Sequence, residues 1–191
     1  MKKLRLTMLA GILALGASSA GANEFKEPLE NLAKTEINAL LNNAAVISAV
    51  AAQNQKHANL DQPDIDKLDK QWRAEVGDGS GPLISEVLKN TLSAYLQSRK
   101  EAAGGLFTEI FVMDNKGLNV GQSDVTSDYW QGDEAKWKKT YLAGATAVHI
   151  GDVELDESTQ TYQSQVSVSI VDPASGTVIG AATFGVDVSA L

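Results

Sequence analysis

The period of the apolar pattern changes once along this chain, at Gly104-Gly105. Before this pair, apolar residues recur at spacings of three and four, which is typical of amphipathic helices; after it they alternate, as in half-buried strands. A chain with helices first and antiparallel strands afterwards belongs to the α+β class. Its 191 residues include no cysteine, and a chain of this length can bury a sufficient core without disulfides or a metal.

The first half predicts three helices. One apolar stripe indicates a long helix over residues 24–57, carried by Ile37, Leu40, Leu41, Ala44, Ile47 and Ala51. At 1.5 Å per residue this helix is roughly 50 Å long, so we expect an exposed end or a partner. A short second helix is entered through Asp61 and Pro63, and a third runs over residues 82–102.

The second half predicts about five antiparallel strands. Residues 106–113 and 118–123 flank a turn that ends in Gly117, and residues 162–171 and 177–188 flank a second turn that ends in Gly176. Between these hairpins the apolar phase shifts around Gly151, which predicts a β-bulge.

The N-terminus has the three parts of a secretory signal. Lys2, Lys3 and Arg5 precede an apolar stretch over residues 6–17, and small residues end at Ala22. We expect cleavage after Ala22, which leaves a single domain over residues 23–191 in the periplasm or outside the cell. The alternative is an uncleaved anchor, although the apolar stretch is shorter than the roughly 20 residues of a spanning helix. The net charge of −8 disfavours nucleic acid as a partner.

The segment over residues 127–141 mixes aromatic side chains with carboxylates and lysines. Its Asp133 is placed to cap a short helix, which would bring Trp137 and Tyr141 onto one face. Apolar walls with a few polar groups are typical of small-molecule pockets. The predicted ligand-binding residues are Asp128, Tyr129, Trp130, Asp133, Trp137, Tyr141 and, from the last strand, Asp187. The alternative is that Trp130 and Trp137 are core anchors and the charges are solvated.

Several ordered segments resemble the Cache, or PDC sensor, family. They lie at residues 66–72, 110–117, 128–132, 176–180 and 185–188. The resemblance implies a PAS-like sheet of about five antiparallel strands, a long N-terminal helix packed across it, and a ligand pocket between the sheet and its covering loops. It also implies an extracellular sensory role and dimerisation through the long helices. Because the chain ends at Leu191, we expect a stand-alone binding protein or a partner of a membrane receptor.

The ligand expected from the sequence is an amine or an amino-acid-like metabolite. Family members that bind amino acids present an Arg beside the Trp-Tyr pair, whereas here Asp128 occupies this neighbourhood and a bidentate carboxylate grip is not expected. Carboxylates and tryptophan faces attract cations. Asp187 shares a strand face with small residues, which leaves room either for a ligand or for a closely packed helix.

Other functional classes receive less support. The two histidines, His57 and His149, accompany no nucleophile motif, so we expect no catalytic residue and no cofactor. Asp152, Glu154 and Asp156 alternate on one strand; we interpret them as a solvated face rather than a calcium site. A protein-interaction module stays open as an alternative, with Leu29, Leu32 and Ile37 as candidate contacts to another copy or a receptor.

Overall fold

The described residues form an antiparallel sheet of six strands, with most helices against one face and one short helix on the other. The computed structural model describes residues 24–156 and 160–191, so the predicted signal segment lies outside the described residues. The strands are β1 (Phe107–Met113), β2 (Asn119–Gln122), β3 (Val148–Ile150), β4 (Glu154–Asp156), β5 (Thr161–Val171) and β6 (Val178–Asp187). Their order is β2-β1-β6-β5-β3, and β4 also pairs with β5. The predicted α+β class is confirmed.

Helices fill the described chain up to Ala102, as predicted, and one further short helix lies between the strands. They are α1 (Lys26–Leu32), α2 (Asn38–Leu41), α3 (Ala44–Lys56), α4 (Gln62–Gly77), α5 (Pro82–Leu88), α6 (Thr91–Ala102) and the short α7 (Ala135–Lys138), with a π-helical turn (Ala33–Ile37) between α1 and α2. Asp61 and Asp64 form a reciprocal capping box at the start of α4. Within the described residues, no helix combines the length and the apolar character needed to cross a bilayer.

Two predicted helices are interrupted, each by an asparagine. The expected helix over residues 24–57 breaks at Asn42 and Asn43, and the Asn43 side chain accepts the Ala45 N–H to start α3. The expected helix over residues 82–102 divides into α5 and α6, because Asn90 leaves the helical conformation and its side chain accepts the Ser93 N–H. A local side-chain bond of this kind competes with helix continuation, so an apolar stripe can run on across a break.

Both predicted hairpins are confirmed, and so is the irregularity near Gly151. β1 pairs with β2, and β5 pairs with β6. Four positions separate Ile150 from Glu154, whereas three separate their partners Val166 and Gln163, so one extra residue lies on the β3–β4 side. This extra residue shifts the phase of the strand, as a β-bulge does.

The helix-facing side of the sheet carries the main core. Its strand residues include Ile110 and Val112 on β1, Val166, Val168 and Ile170 on β5, and Ala182, Phe184 and Val186 on β6. Leu29, Leu32 and Ile37 pack into the same core and are at most 7% exposed. The prediction that these three form an intermolecular contact is therefore wrong, because the break at Asn42 and Asn43 keeps the helical segment on its own sheet.

Candidate functional site

The opposite face of the sheet is polar and forms the candidate site. Glu109 and Phe111 of β1 lie next to Gly185 and Thr183 of β6, which in turn lie next to Gln165 and Ser167 of β5. Because Gly185 has no side chain, Gln165 Nε2 reaches across it and donates to Glu109 Oε1 at 3.0 Å. The face thus continues as polar side chains through three adjacent strands.

A second bulge adds two amides to this face. Phe111 pairs with Gln122 and Met113 with Asn119, while the register skips one residue of β2 between them. Val120 and Gly121 both turn toward the helices, where Val120 joins the core and a Cβ on Gly121 would meet Leu92. Asn119 and Gln122 therefore share the polar face although they are three residues apart.

These two amides are fully buried and each has one free polar atom. Asn119 Nδ2 donates to Gln122 Oε1 at 3.0 Å, and both side chains are 0% exposed. Asn119 Oδ1 and Gln122 Nε2 have no hydrogen-bond partner among the residues that the structure describes. A buried polar group without a partner costs about 1–3 kcal/mol, so this pair presents one acceptor and one donor that a bound molecule would satisfy.

Opposite charges flank the amides. Lys136 of α7 lies over the Phe111 ring with its Nζ 5.4 Å from the centroid, and donates to Gln131 Oε1 at 3.2 Å. Burial raises the pKa of Glu109, while its bond from Gln165 and the charge of Lys136 lower it. We call Glu109, Phe111, Asn119, Gln122 and Lys136 together the polar-face site.

Trp137 and Tyr141 cover part of the same face. Their rings stack with centroids 4.8 Å apart, as the four-residue spacing predicts. Trp137 packs with Phe111, Met113 and Ala181, and its Nε1 donates to the Asp114 carbonyl at 3.1 Å. The predicted cap by Asp133 is wrong: Asp133 is exposed, and Glu134 occupies the N-cap position of α7.

Asp128, Tyr129 and Trp130 lie between α4 and the β1–β2 hairpin, because Asp69 of α4 accepts two of their N–H groups while the Asn119 N–H donates to the Tyr129 carbonyl. Tyr129 is buried and stacks on Trp72, with ring centroids 5.4 Å apart; burial raises the pKa of its phenol. Arg73 Nη1 lies 2.6 Å from Asp128 Oδ1. The sequence places no Arg near Asp128, but the fold brings one across from α4, so this carboxylate already has a cationic partner.

Asp187 lies at the far end of the polar face from Trp137. It pairs in register with Gln163, and its side chain accepts the Ser189 N–H to cap the last 3₁₀ turn. Gln163 lines a cleft of about 170 Å³ together with Gly151, Asp152, Glu154 and Gln165. The predicted ligand residues therefore divide among the α4 contact, the cover over the sheet, and this acidic end.

In the described part of the chain, no group of three or more His, Asp or Glu residues is arranged to hold a metal ion. His149 is on the polar face opposite Ser167, and its pKa is lowered by burial and by Lys139.

The turn between β1 and β2 connects the site to the helices. Asp114 is 0% exposed; its carboxylate lies 2.8 Å from His57 Nδ1 and accepts Gln53 Nε2 at 3.1 Å. The Trp130 indole donates to the Lys116 carbonyl at 2.8 Å, so both tryptophans of the 127–141 segment hold this turn. Sequence reasoning did not predict the His57–Asp114 contact, because 57 residues separate its members.

Comparison with known proteins finds similarity at the level of structure. No protein-family model matches this chain, and no curated protein matches it. The sensory domain of the Campylobacter jejuni chemoreceptor Tlp3 is 13% identical with a TM-score of 0.40, covering 85% of this chain and 62% of that domain. The sensor domain of the Vibrio cholerae histidine kinase DctB is 15% identical with a TM-score of 0.38, covering 87% of this chain and 58% of that domain.

The ligand-binding domain of the Pseudomonas aeruginosa amino acid chemoreceptor PctC, solved with GABA, is 13% identical with a TM-score of 0.38. The match covers 87% of this chain and 64% of that domain. Such identities and TM-scores do not transfer a ligand or a residue role. These structural neighbours are sensory ligand-binding domains of chemoreceptors and of a histidine kinase.

Proposed function

We propose that this protein is an exported sensor-type domain that binds a small amine or amino-acid-like metabolite at the polar-face site. The observation that carries the proposal is the pair of fully buried amides with a free acceptor on Asn119 and a free donor on Gln122. A ligand with an N–H group and an acceptor atom satisfies both. This gain is available only to a polar ligand, since an apolar one would leave both groups unpaired.

The charges around the amides favour an amine. Glu109 is partly buried, and the side chain that donates to it, Gln165, is neutral. An ammonium group beside this carboxylate compensates its desolvation and lowers its pKa. Lys136 lies over Phe111 with its Nζ 2.9 Å from Glu134 Oε2, and a ligand carboxylate or carbonyl at this point would share the Lys136 charge with Glu134.

The ligand-binding residues predicted from the sequence then have separate roles. Trp137 and Tyr141 form the cover of the ligand, and Asp187 contributes to the negative potential at the open end of the face. Asp128, Tyr129 and Trp130 hold the covering segment on α4, since Asp128 is paired with Arg73 and Tyr129 is buried against Trp72. Asp133, which is exposed, contributes charge without contact.

The biological setting completes the proposal. A cleaved signal over residues 1–22 would deliver a domain of residues 23–191 to the periplasm or the exterior. There it acts alone or as the partner of a membrane sensor. Sedimentation tests whether it forms a homodimer. The support for this setting is the pattern of the N-terminal sequence.

The test is ligand screening on the mature chain. A panel of primary amines, amino acids and the corresponding amine-free carboxylic acids is screened by thermal shift, and stabilising compounds are titrated by calorimetry. We expect amine-bearing compounds to bind, Glu109→Gln to weaken them at least tenfold, and the exposed control Glu101→Gln to leave affinity unchanged. Equal affinity of Glu109→Gln and wild type, or stabilisation by the amine-free acids alone, contradicts the proposal.

One observation favours the second candidate, an interaction module. Leu155 and Tyr162 lie directly opposite each other on β4 and β5 and are 48% and 60% exposed. Paired exposed apolar side chains of this size are typical of contact surfaces. If this pair mediates self-association, Tyr162→Ser converts dimers to monomers in sedimentation over the micromolar range; a wild type that is monomeric throughout excludes that version.

A further inference from the structure

We infer that Asp69 of α4 is a positioning residue of the polar-face site, which determines which atoms of Asn119 and Gln122 are presented to a ligand. The inference rests on the proposed function for what the site binds. The orientation of the two amides is a property of the ligand-free protein. It follows from the position of one peptide unit, the one between Asp128 and Tyr129.

Hydrogen bonds hold this peptide unit at both its N–H group and its C=O group. Asp69 Oδ1 accepts the N–H of Tyr129 at 2.9 Å and the N–H of Trp130 at 3.0 Å. In a trans peptide the N–H and C=O groups point in opposite directions within one rigid plane. With its N–H fixed toward α4, the unit therefore points the Asp128 carbonyl away from α4.

The Asp128 carbonyl is one of three acceptors around the Asn119 amino group, together with Thr126 Oγ1 at 2.9 Å and Gln122 Oε1 at 3.0 Å. It accepts Asn119 Nδ2 at 3.2 Å and Gln131 Nε2 at 2.9 Å, and the Thr126 hydroxyl also donates to it, at 2.7 Å. These bonds engage the amino end of Asn119, so its Oδ1 is the atom left free. The same amino group donates to Gln122 Oε1, which leaves Gln122 Nε2 free.

Asp69 is itself held in place. Its Oδ2 accepts Arg73 Nε at 2.7 Å, and Arg73 Nη1 continues to Asp128 Oδ1. The Asp69 carboxylate is 13% exposed, whereas the Arg73 side chain is 57% exposed. Asp69 is thus the inner and Arg73 the outer member of the contact, so loss of Asp69 should affect the amides more than loss of Arg73.

Loss of the hydrogen bonds to Asp69 would change which polar atoms the site offers to a ligand. When the Asp128 carbonyl rotates away, the Asn119 amino group loses one of its three acceptors, and the turned-over amide, which presents the amino group in place of the oxygen, becomes more populated. The site then offers a donor where it offered an acceptor, and its preference for an N–H-bearing ligand declines. The same connection makes the position of α4 dependent on occupancy of the site.

The experiment uses ligand-free, ¹⁵N-labelled protein and follows the side-chain NH₂ resonances of Asn119 and Gln122. We expect Asp69→Ala to shift both resonances and to accelerate hydrogen exchange of the Asn119 NH₂ at least tenfold. Asp69→Asn, which keeps an oxygen for the two backbone N–H groups, should restore most of the wild-type spectrum. Asp66→Asn, an exposed acid on the same helix, is the matched control and should change neither resonance.

A folded Asp69→Ala protein with unchanged Asn119 and Gln122 resonances overturns the inference. If Asp69→Ala does not fold, Arg73→Ala replaces it, with a smaller shift of the same resonances expected and no shift counting against the inference. Because no ligand enters this experiment, it separates the two proposals. Resonances that move in a protein that binds none of the amines would refute the proposed function and support the role of Asp69.

Discussion

Replacement of Asp114 by asparagine should weaken the whole domain, because this carboxylate connects the turn between β1 and β2 to α3. Oδ1 accepts the N–H groups of Lys116 and Leu118 at 2.8 and 2.9 Å. Oδ2 lies 2.8 Å from His57 Nδ1 and 3.1 Å from Gln53 Nε2. The two oxygens are thus surrounded by donors on both sides.

The magnitude follows from this count of donors. Asparagine keeps one acceptor oxygen and places an amino group against the other pair of donors. Two charge-assisted bonds of about 1.5–3 kcal/mol each are lost, so we expect the free energy of unfolding to fall by about 4 kcal/mol. For a domain of this size, 1 kcal/mol corresponds to about 2–4 °C, so Tm should fall by about 8–16 °C.

The assay is urea unfolding followed by tryptophan fluorescence. Asp78→Asn, at an exposed position, should change the free energy of unfolding by less than about 0.5 kcal/mol. His57→Ala should cost less in the Asp114→Asn background than in wild type, because residues in one network are not additive. A loss below about 1 kcal/mol for Asp114→Asn would refute the reasoning, since it would mean that the amino group finds acceptors that the structure does not provide.

Three further predictions concern stability. Burial raises the pKa of Glu109 above its ordinary 4.5, so folding favours its protonated form. Wild type should therefore lose stability relative to Glu109→Gln as pH rises from about 4.5 through the folded pKa, and the difference should stay constant at higher pH. Thermal melts of the two proteins that do not diverge over this range would contradict the prediction. Gly117→Ala should lower the free energy of unfolding by about 2 kcal/mol or more, because φ is +83° and the new Cβ would lie 2.5 Å from the Gly132 Cα. The control Gly77→Ala, in open space at the end of α4, should be neutral or stabilising in the same urea titration. Asn43→Ala should cost about 1 kcal/mol through loss of the α3 cap, and an unchanged urea midpoint would show that the cap is dispensable.

Local signals predicted the elements of this fold well. The capping box at Asp61 lies where α4 begins, and the turns that end in Gly117 and Gly176 close the two hairpins with both glycines at positive φ. The phase shift near Gly151 predicted an irregularity that the pairing of β5 contains. The breaks at Asn43 and Asn90 were missed because the apolar stripe continues across them.

The candidate site was predicted less completely. Segment composition pointed to Trp137 and Tyr141, which do cover the polar face. Simple alternation along β2 places Asn119 and Gln122 on opposite faces, so their pairing was not expected. No local pattern pairs Arg73 with Asp128, since the two lie on elements distant in sequence.

By itself, the sequence determined the α+β class, the hairpins and the helix that Asp61 starts, because these depend on side-chain periodicity and on bonds between residues a few positions apart. Only the tertiary structure decided which polar groups meet: the bulge at Val120 that turns two amides to one face, the approach of His57 to Asp114, and the grip of Asp69 on the peptide unit before Tyr129. Such meetings depend on strand register and on helix placement against the sheet, and these are fixed by burial of the whole core rather than by any local pattern.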